Sequence, residues 1–226
     1  MRRSLMLLLL VSLTLAGPAD ARERHHKSAQ SAQADVPGQF DYYALSLSWS
    51  PSYCAGHTDP NQCGTGRKLG FVLHGLWPQY DKGYPSDCST VALSAADQQK
   101  YAPMFPSPTL ITHEWPKHGT CSGLAPAAYF DLTASLKARV VIPAQFQQPA
   151  QPVRTSNAQF IQSFLQTNST LVSDSVLPFC TGGGRFLQEL HACFDKSGAS
   201  RSCGVTEIKR SQKSCGQDTF LVQSVR

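Results

Sequence analysis

The amino-acid sequence predicts an α+β fold with a mainly antiparallel central sheet, flanked by helices and held by four disulfides. Apolar and polar residues alternate in strand-like runs towards both ends of the chain, while the middle has helical spacing. Strands and helices do not alternate in the rhythm that builds a parallel sheet. The cysteine count, eight, is even.

The N-terminus has the layout of a secretory signal peptide, which we predict over residues 1–21. Arg2 and Arg3 precede an apolar run from Leu5 to Ala16, and small residues around Asp20 offer a cleavage site. That run is too short to cross a bilayer, and no later stretch is apolar for long enough. We therefore expect an exported protein, periplasmic or extracellular, that makes no contact with a membrane.

Residues 22–39 are polar and lack an apolar period, which predicts a flexible arm ahead of a single domain over 40–226. Cleavage after residue 21 leaves 18 basic and 14 acidic residues, so the formal charge falls from +5 to +4. This mild excess suits an anionic partner but does not by itself indicate one. We expect a monomer.

Two strands are predicted at the start of the domain. In DYYALSLSWS the apolar residues alternate with Ala44, Ser46 and Ser48, which is the period of a half-buried strand. The second strand follows over RKLGFVLHGLWPQ, and Pro78 is expected to end it. His74 then lies near a strand end, an anchored place for a reactive side chain.

Helices are predicted in the middle of the chain and strands at its end. LSAADQQKYA forms a short helix capped by Ser94 and ended by Pro103. AAYFDLTASLKARV forms an amphipathic helix ended by Pro143, and Ser156 caps a third. After Cys180, a triple-glycine turn is followed by two strand-like runs, RFLQELHACFD and VTEIKRS, and TFLVQSV closes the chain.

The exported context decides how the cysteines and one asparagine are interpreted. An even number of cysteines outside the cytosol indicates disulfides, although spacing leaves their connectivity open. The close CxxC pairs of a zinc site are absent from the sequence. Asn168 begins an N-glycosylation sequon, which matters only in a host that glycosylates exported proteins.

The stretch HEWPKHGTC, which starts at His113, concentrates titratable side chains that could act in catalysis. His113 and His118 are five residues apart, so on a helix they point about 140° away from each other and do not converge on one metal ion. At i,i+4 spacing Glu114 lies over His118, and His113 lies over Lys117. Pro116 requires either that the helix begins close to His113 or that it is kinked. Taken alone, the stretch is also compatible with a solvated helix face.

A second segment removes this ambiguity. HGLWP, from His74 to Pro78, and HEWPKHGTC together resemble the two active-site segments of the ribonuclease T2 family of secreted endoribonucleases. The run DYYALSLSWSPSYC and the late half-cystine spacing are similar as well. The resemblance therefore extends from about Phe40 to the C-terminus, with a looser match from Gln145 to Thr181.

This resemblance implies an endoribonuclease that cleaves single-stranded RNA by transphosphorylation, through a 2′,3′-cyclic phosphate, without a metal or any other cofactor. It implies that His118 is the base and His74 the acid, whereas the residues alone do not distinguish this order from its reverse. Glu114 would hydrogen-bond the phosphoryl group or orient His118, and Lys117 and His113 would offset charge at phosphorus. DNA would not be cleaved, because it lacks the attacking 2′-hydroxyl.

The aromatic residues near these segments divide into two groups. Trp77 is interpreted as a base or ribose contact, with core packing as an equal alternative, and Tyr80 and Tyr84 are weaker candidates for a base pocket. Trp115 is assigned to the core. His191, among strand residues, is expected to pack and to play a structural role.

The resemblance also implies a disulfide connectivity. The implied pairs are Cys54–Cys63, Cys88–Cys121, Cys180–Cys215 and Cys193–Cys203. The second would tie the end of the catalytic helix to the loop after HGLWPQ, and the last two would clamp one hairpin twice.

Two other classes of function were considered. A non-catalytic relative would usually have lost His74 or His118, and both are present. A metal-dependent phosphoesterase needs a cluster of acidic ligands, which the sequence does not offer.

Overall fold

The alternating run DYYALSLSW forms a central strand of the sheet in a computed structural model that describes residues 35–225. The predicted signal peptide, and the predicted arm as far as residue 34, lie outside the described residues. Residues 35–39 lie along the domain, where Asp35 accepts hydrogen bonds from the Tyr80 hydroxyl and the Ser86 amide.

Six strands and eight α-helices make up the described chain, together with 3₁₀ turns at Ala102–Met104 and Gly119–Ser122. The strands are β1 (Tyr42–Trp49), β2 (Phe71–Gln79), β3 (Val153–Thr155), β4 (Val176–Thr181), β5 (Phe186–Phe194) and β6 (Phe220–Val222). The helices are α1 (Ser50–Cys54), α2 (Pro60–Cys63), α3 (Ala95–Tyr101), α4 (Leu110–Lys117), α5 (Pro126–Arg139), α6 (Ala144–Gln147), α7 (Asn157–Thr167) and α8 (Val205–Ser214).

The strands pair in the order β2-β1-β5-β6-β3, and β4 also pairs with β5. Every pairing is antiparallel except that of β5 with β6, which is parallel. The predicted α+β class is therefore confirmed, and the sheet is mixed rather than purely antiparallel.

Strand β1 is buried on both faces rather than on one. Leu45, Leu47 and Trp49 join the main apolar core, which also contains aromatic residues of α5 and α7. Ala44 belongs to a second, smaller cluster on the opposite face. On that face Ser46 is fully buried as well, because it is covered by part of the chain that the strand's own period does not reveal.

Helix α8 packs against this face through Ile208, and the prediction of a strand over VTEIKRS is wrong. This helix buries Glu207 and Ser211, which are four residues apart, and leaves Val205 exposed. The Ser211 hydroxyl donates to the Pro178 carbonyl of β4 at 2.7 Å. Because the buried face of α8 is polar, apolar periodicity does not reveal the helix.

The predicted helices of the middle region are present. Ser94 caps α3 by accepting from the Asp97 amide, and Ser156 forms a capping box with Gln159 at the start of α7. The Trp115 side chain is 2% exposed and packs against Tyr129, which confirms its place in the core.

Two proline predictions need correction. Strand β2 continues through Pro78, which pairs with Tyr43, as far as Gln79. It lies at the edge of the sheet, where a residue without an N–H is tolerated. Helix α4 begins at Leu110, well before His113, so that Pro116 falls in its last turn rather than its first. The helix ends one residue later, as expected of a residue that cannot continue the hydrogen-bond ladder.

The four implied disulfides are all present, namely Cys54–Cys63, Cys88–Cys121, Cys180–Cys215 and Cys193–Cys203. Cys88–Cys121 joins the loop after β2 to the 3₁₀ turn after α4, as predicted. The expectation of a doubly clamped hairpin is wrong, because Cys180–Cys215 ties β4 to the end of α8.

Candidate active site

One cavity of about 280 Å³ brings together all six residues that the sequence singles out. They reach it from β2 and from α4 with the residue that follows it. These residues are His74, Trp77, His113, Glu114, Lys117 and His118. The cavity is also lined by Gln79 and Tyr84, which continue the β2 side, and by Glu207 and Arg210 of α8.

The indole of Trp77 lies between the two imidazoles of the site. Its ring centroid is 4.9 Å from that of His74, in an edge-on arrangement, and 5.1 Å from that of His118, in a stacked one. His191 of β5 meets the same indole edge-on at 5.2 Å. Trp77 therefore spaces the two imidazoles apart and leaves part of its ring exposed at the cavity.

Glu114 is 1% exposed and accepts a hydrogen bond from the Trp77 Nε1 through Oε2, at 2.7 Å. Its other oxygen, Oε1, has no hydrogen-bond partner among the described residues and lies 3.7 Å from the His74 Nε2. Burial raises the pKa of Glu114 to about 7, although His74 and the Trp77 hydrogen bond act in the opposite direction. The carboxyl group can therefore carry a proton in mildly acidic solution.

Two glycines make this packing possible. A Cβ at Gly75 would lie 2.0 Å from the Glu114 Oε2 and 2.6 Å from the Trp77 Nε1. A Cβ at Gly119 would lie 2.4 Å from a ring carbon of Trp115. The glycines of HGLWP and HEWPKHGTC are thus required by close approach rather than by a turn.

His118 caps the C-terminus of α4, and its amide donates to the Glu114 carbonyl at 3.0 Å. The side chain is 6% exposed, and its Nδ1 has no partner among residues 35–225. Burial, and then the nearby positive charges of Lys117 and His74, lower the pKa of His118 to about 3. Glu114 makes no side-chain contact that would offset this effect, so His118 is held as the neutral imidazole.

His74 has the opposite environment. Its Nδ1 lies 2.7 Å from the Glu189 Oε1 of β5 and 3.3 Å from the Ser48 hydroxyl. Burial alone would lower the pKa of His74, but the hydrogen bond and charge of Glu189, together with the charge of Glu114, raise it above its ordinary value. This environment favours the protonated imidazolium of His74.

Lys117 and His113 face the cavity from one ridge of α4. His113 is exposed, and partial burial together with the charge of Lys117 lowers its pKa. Tyr84 is half exposed and its ring lies 6.4 Å from that of His118. Tyr80 does not line the cavity but bonds to Asp35.

Residues of β5 and α8 that contribute to the site were not predicted from the sequence. Glu189 contacts His74 directly, His191 lies behind it, and Glu207 and Arg210 reach the cavity wall. One signal was available: Glu189 and His191 are two apart in an apolar strand and so share a face. The expectation that His191 merely packs is incomplete, since it sits between two carboxylates.

Within residues 35–225 there is no group of three or more histidine, cysteine or acidic side chains arranged to hold a metal ion. The same residues contain no helix that combines the length and apolarity needed to cross a bilayer.

Comparison with known proteins places this site in a family. A sequence profile of the Ribonuclease T2 family matches residues 40–203. A ribonuclease of Aeromonas hydrophila is 39% identical over 206 residues, which cover 88% of this chain and 92% of that protein. A probable ribonuclease of Haemophilus influenzae is 32% identical over 143 residues, covering 56% of this chain and 51% of that protein.

Solved structures share the fold at lower identity. An RNase-related protein from Calystegia sepium superposes with a TM-score of 0.66 at 19% identity, covering 83% of this chain and 98% of that one. A mutant of RNase MC1 in complex with 5′-UMP superposes with a TM-score of 0.60 at 20% identity, covering 80% and 97%. The fold is therefore one that ribonucleases adopt.

The family follows from the sequence comparisons. The chain belongs to the Ribonuclease T2 family and is an enzyme, a ribonuclease of the T2 type. Four disulfides are typical of proteins that mature outside the cytosol, and an exported protein fits both the disulfides and the family.

Proposed function

We propose that the protein cleaves single-stranded RNA by metal-independent transphosphorylation, with His118 as general base and His74 as general acid. The observation that carries this proposal is that two imidazoles at one cavity have pKa values displaced in opposite directions. General acid–base catalysis needs one deprotonated and one protonated group at the same pH.

The base step uses the neutral imidazole. His118 takes the proton of the ribose 2′-hydroxyl, and the 2′-oxygen attacks the adjacent phosphorus. Its pKa of about 3 keeps it unprotonated through the whole mildly acidic range. The buried Nδ1 supports this role, because no acceptor within residues 35–225 bonds to that nitrogen and so favours its protonation.

The acid step uses the imidazolium. His74 gives a proton to the departing 5′-oxygen as the P–O5′ bond breaks, leaving a 2′,3′-cyclic phosphate and a free 5′-hydroxyl. Its Nδ1 is bound to Glu189, so Nε2 is the nitrogen that faces Glu114 and the cavity. Slower hydrolysis of the cyclic phosphate can follow, with the two histidines exchanging roles.

The remaining residues act on the charge that develops at phosphorus. Lys117 is cationic and, with His113, offsets the negative charge of the phosphorane. Glu114, protonated below about pH 7, donates from Oε1 to a phosphoryl oxygen while Oε2 keeps the bond from Trp77. This favours a role for Glu114 at phosphorus over the orientation of His118.

The substrate is RNA that can present unpaired bases. Trp77 offers part of an indole face, and Tyr84 an exposed ring, for a base or ribose to stack on. We expect low base specificity, no cleavage of DNA, action as a monomer without a membrane, and release to the periplasm or the exterior.

The decisive experiment uses oligonucleotides that contain one ribonucleotide in a DNA strand, in excess EDTA at mildly acidic pH. We expect cleavage only after the ribonucleotide, with a 2′,3′-cyclic phosphate on the 5′ fragment by mass spectrometry. His118→Ala and His74→Ala should each lower the rate by roughly 10²–10⁴-fold. His57→Ala is the matched control, because that exposed imidazole stacks on Tyr53 outside the cavity.

A substrate with sulfur in place of the bridging 5′-oxygen separates the two roles. A thiolate leaves without needing a proton, so the defect of His74→Ala should shrink while that of His118→Ala persists. Cleavage of the all-DNA strand, inhibition by EDTA, or full activity in His118→Ala would refute the proposal. Rescue of the base variant in place of the acid variant would reverse the assignment.

A further inference from the structure

A chain of polar side chains leads from the Nδ1 of His74 through β5 to Glu207 and Arg210 of α8, which themselves line the cavity. It begins at Glu189 of β5, whose side chain is 15% exposed. Besides the His74 Nδ1 at 2.7 Å, the Glu189 Oε1 accepts hydrogen bonds from the hydroxyls of Ser46 and Ser48 on β1. Ser46 and Ser48 of β1 therefore donate to this carboxylate rather than to solvent.

The chain continues through His191, two residues further along the same face of β5. Its Nε2 lies 3.2 Å from the Glu189 Oε2, and its Nδ1 lies 2.6 Å from the Glu207 Oε1 of α8. The other oxygen of Glu207 accepts from the Arg210 Nη1 at 3.0 Å. Three separate elements, β2, β5 and α8, thus contribute to one line of contacts from a surface arginine to His74.

The signs of charge alternate along this line. Burial alone would raise the pKa of Glu189, but His191 and His74 on either side hold it well below its usual range. Burial alone would lower the pKa of His191, yet the two carboxylates raise it to about 9. Arg210 and His191 likewise keep the pKa of Glu207 low. A buried carboxylate next to His74 stays ionised because of this arrangement.

We propose that Glu189 is a positioning residue for His74, and that the buried His191–Glu207 pair keeps Glu189 ionised and aimed at the His74 Nδ1. This rests on the proposed function, in which His74 is the general acid. A carboxylate bound to one ring nitrogen fixes a proton there and leaves the other nitrogen to exchange protons with substrate. It also stabilises the imidazolium that an acid must be before it reacts.

Other groups that face His74 also affect the pKa of its imidazole. Glu114 of α4, once it is ionised, adds a second negative charge at 3.7 Å from Nε2, and His191 adds a positive one from behind. His113 of α4 is coupled to His74 by charge, and Trp77 and Ser48 are neutral neighbours. Among residues 35–225, Glu189 alone places a charged group in contact with Nδ1.

The test is the titration of the His74 imidazole by NMR in the full-length protein, together with the pH profile of RNA cleavage. Glu189→Gln should lower the His74 pKa, with at least a tenfold loss of proton affinity, and move the alkaline limb of kcat to lower pH. kcat should fall by roughly 10–10²-fold with little change in KM, and Glu189→Asp should restore part of it. With the 5′-thio substrate, the kcat defect of Glu189→Gln should shrink as that of a His74 variant does.

Two further variants distinguish a specific change at His74 from a general loss of folded structure. Gln188→Ala, on the exposed neighbour of Glu189, is the matched control and should leave both readouts unchanged. Glu189→Gln combined with His191→Gln removes one buried charge of each sign, while Glu207 keeps its ion pair with Arg210, and the variant should still show the lowered His74 pKa.

The outcomes separate this inference from the proposed function. An unchanged His74 titration in a folded Glu189→Gln or double variant overturns the positioning role whether or not RNA is cleaved. Conversely, a protein that does not cleave RNA but shows the shifted titration refutes the proposed function and leaves the Glu189–His74 contact supported.

Discussion

The Trp77 indole donates its only N–H to the Glu114 carboxylate at 2.7 Å, and this bond joins the edge strand β2 to helix α4 across the floor of the active site. The two side chains meet directly over Gly75. The bond positions the buried Glu114 carboxyl group and, at the same time, the ring that separates the imidazoles of His74 and His118.

Gly75→Ala tests this arrangement. The added Cβ would fall 2.0 Å from the Glu114 Oε2, so either the carboxylate or β2 must move. Because small misplacements of catalytic groups are costly, we expect kcat/KM for RNA to drop by about 10²-fold, with a lesser effect on the unfolding midpoint. Gly56→Ala, which meets open space, is the matched control. Full activity in Gly75→Ala would show that Glu114 tolerates displacement.

The pH dependence of kcat/KM follows from three groups. On the acid side the rate should rise as His118 loses its proton, with a pKa of about 3. On the alkaline side it should fall as Glu114, with a pKa of about 7, and His74, whose pKa is raised, lose theirs. We expect a maximum between about pH 4 and pH 6, measured by initial rates on a dinucleotide substrate.

Glu114→Gln should remove one component of that alkaline limb. A carboxamide can still accept from Trp77 and donate into the cavity, as the protonated acid does, but it does not ionise. We expect the variant to keep most of its activity at pH 5 and its alkaline limb to become less steep, because His74 alone then loses a proton there. An alkaline limb identical to that of the wild type would mean that Glu114 does not titrate during turnover.

The disulfide Cys88–Cys121 should contribute more to stability and to activity than the disulfide Cys54–Cys63. It closes a span of 33 residues and ties the loop after β2 to the end of the catalytic helix, whereas Cys54–Cys63 spans 9. Replacing the pair Cys88/Cys121 by serine should cost about 1 kcal/mol more than replacing Cys54/Cys63, from loop length alone. Calorimetry of both variants measures the difference, and only the first should also slow RNA cleavage. Equal losses of stability and activity would contradict this.

Asn168 should carry no glycan in the native protein. Its side chain is 5% exposed and makes three hydrogen bonds, with the Val141 amide and carbonyl and with the Phe164 carbonyl. Asn168→Ala should lower the free energy of unfolding by roughly 2 kcal/mol, because the Val141 groups lose their partner. Thr170→Ala destroys the sequon without touching these bonds and should be neutral. A glycan at Asn168 on active protein from a glycosylating host would disprove this.

Sequence reasoning worked where local chemistry decides the structure. The caps at Ser94 and Ser156, the strand around His74 and the clustering of HEWPKHGTC follow from residue types and spacing. It failed where burial is polar. Helix α8 buries Glu207 and Ser211, and β1 buries Ser46. A prediction from the pattern of apolar residues wrongly assigns these polar faces to solvent. Glu189 is 115 residues from His74, and only the pairing of β1 with β5 brings them together.

That separation also sets the order in which the enzyme can become active. In the proposed mechanism the acid is residue 74, its positioning carboxylate is residue 189 and the supporting carboxylate is residue 207 of a 226-residue chain. Contacts of such long range form late in folding, after the entropy of closing large loops has been overcome. A chain still emerging from the ribosome, or one whose last third has been removed, holds His74 and His118 but lacks the carboxylate that, in the proposed mechanism, makes His74 an acid.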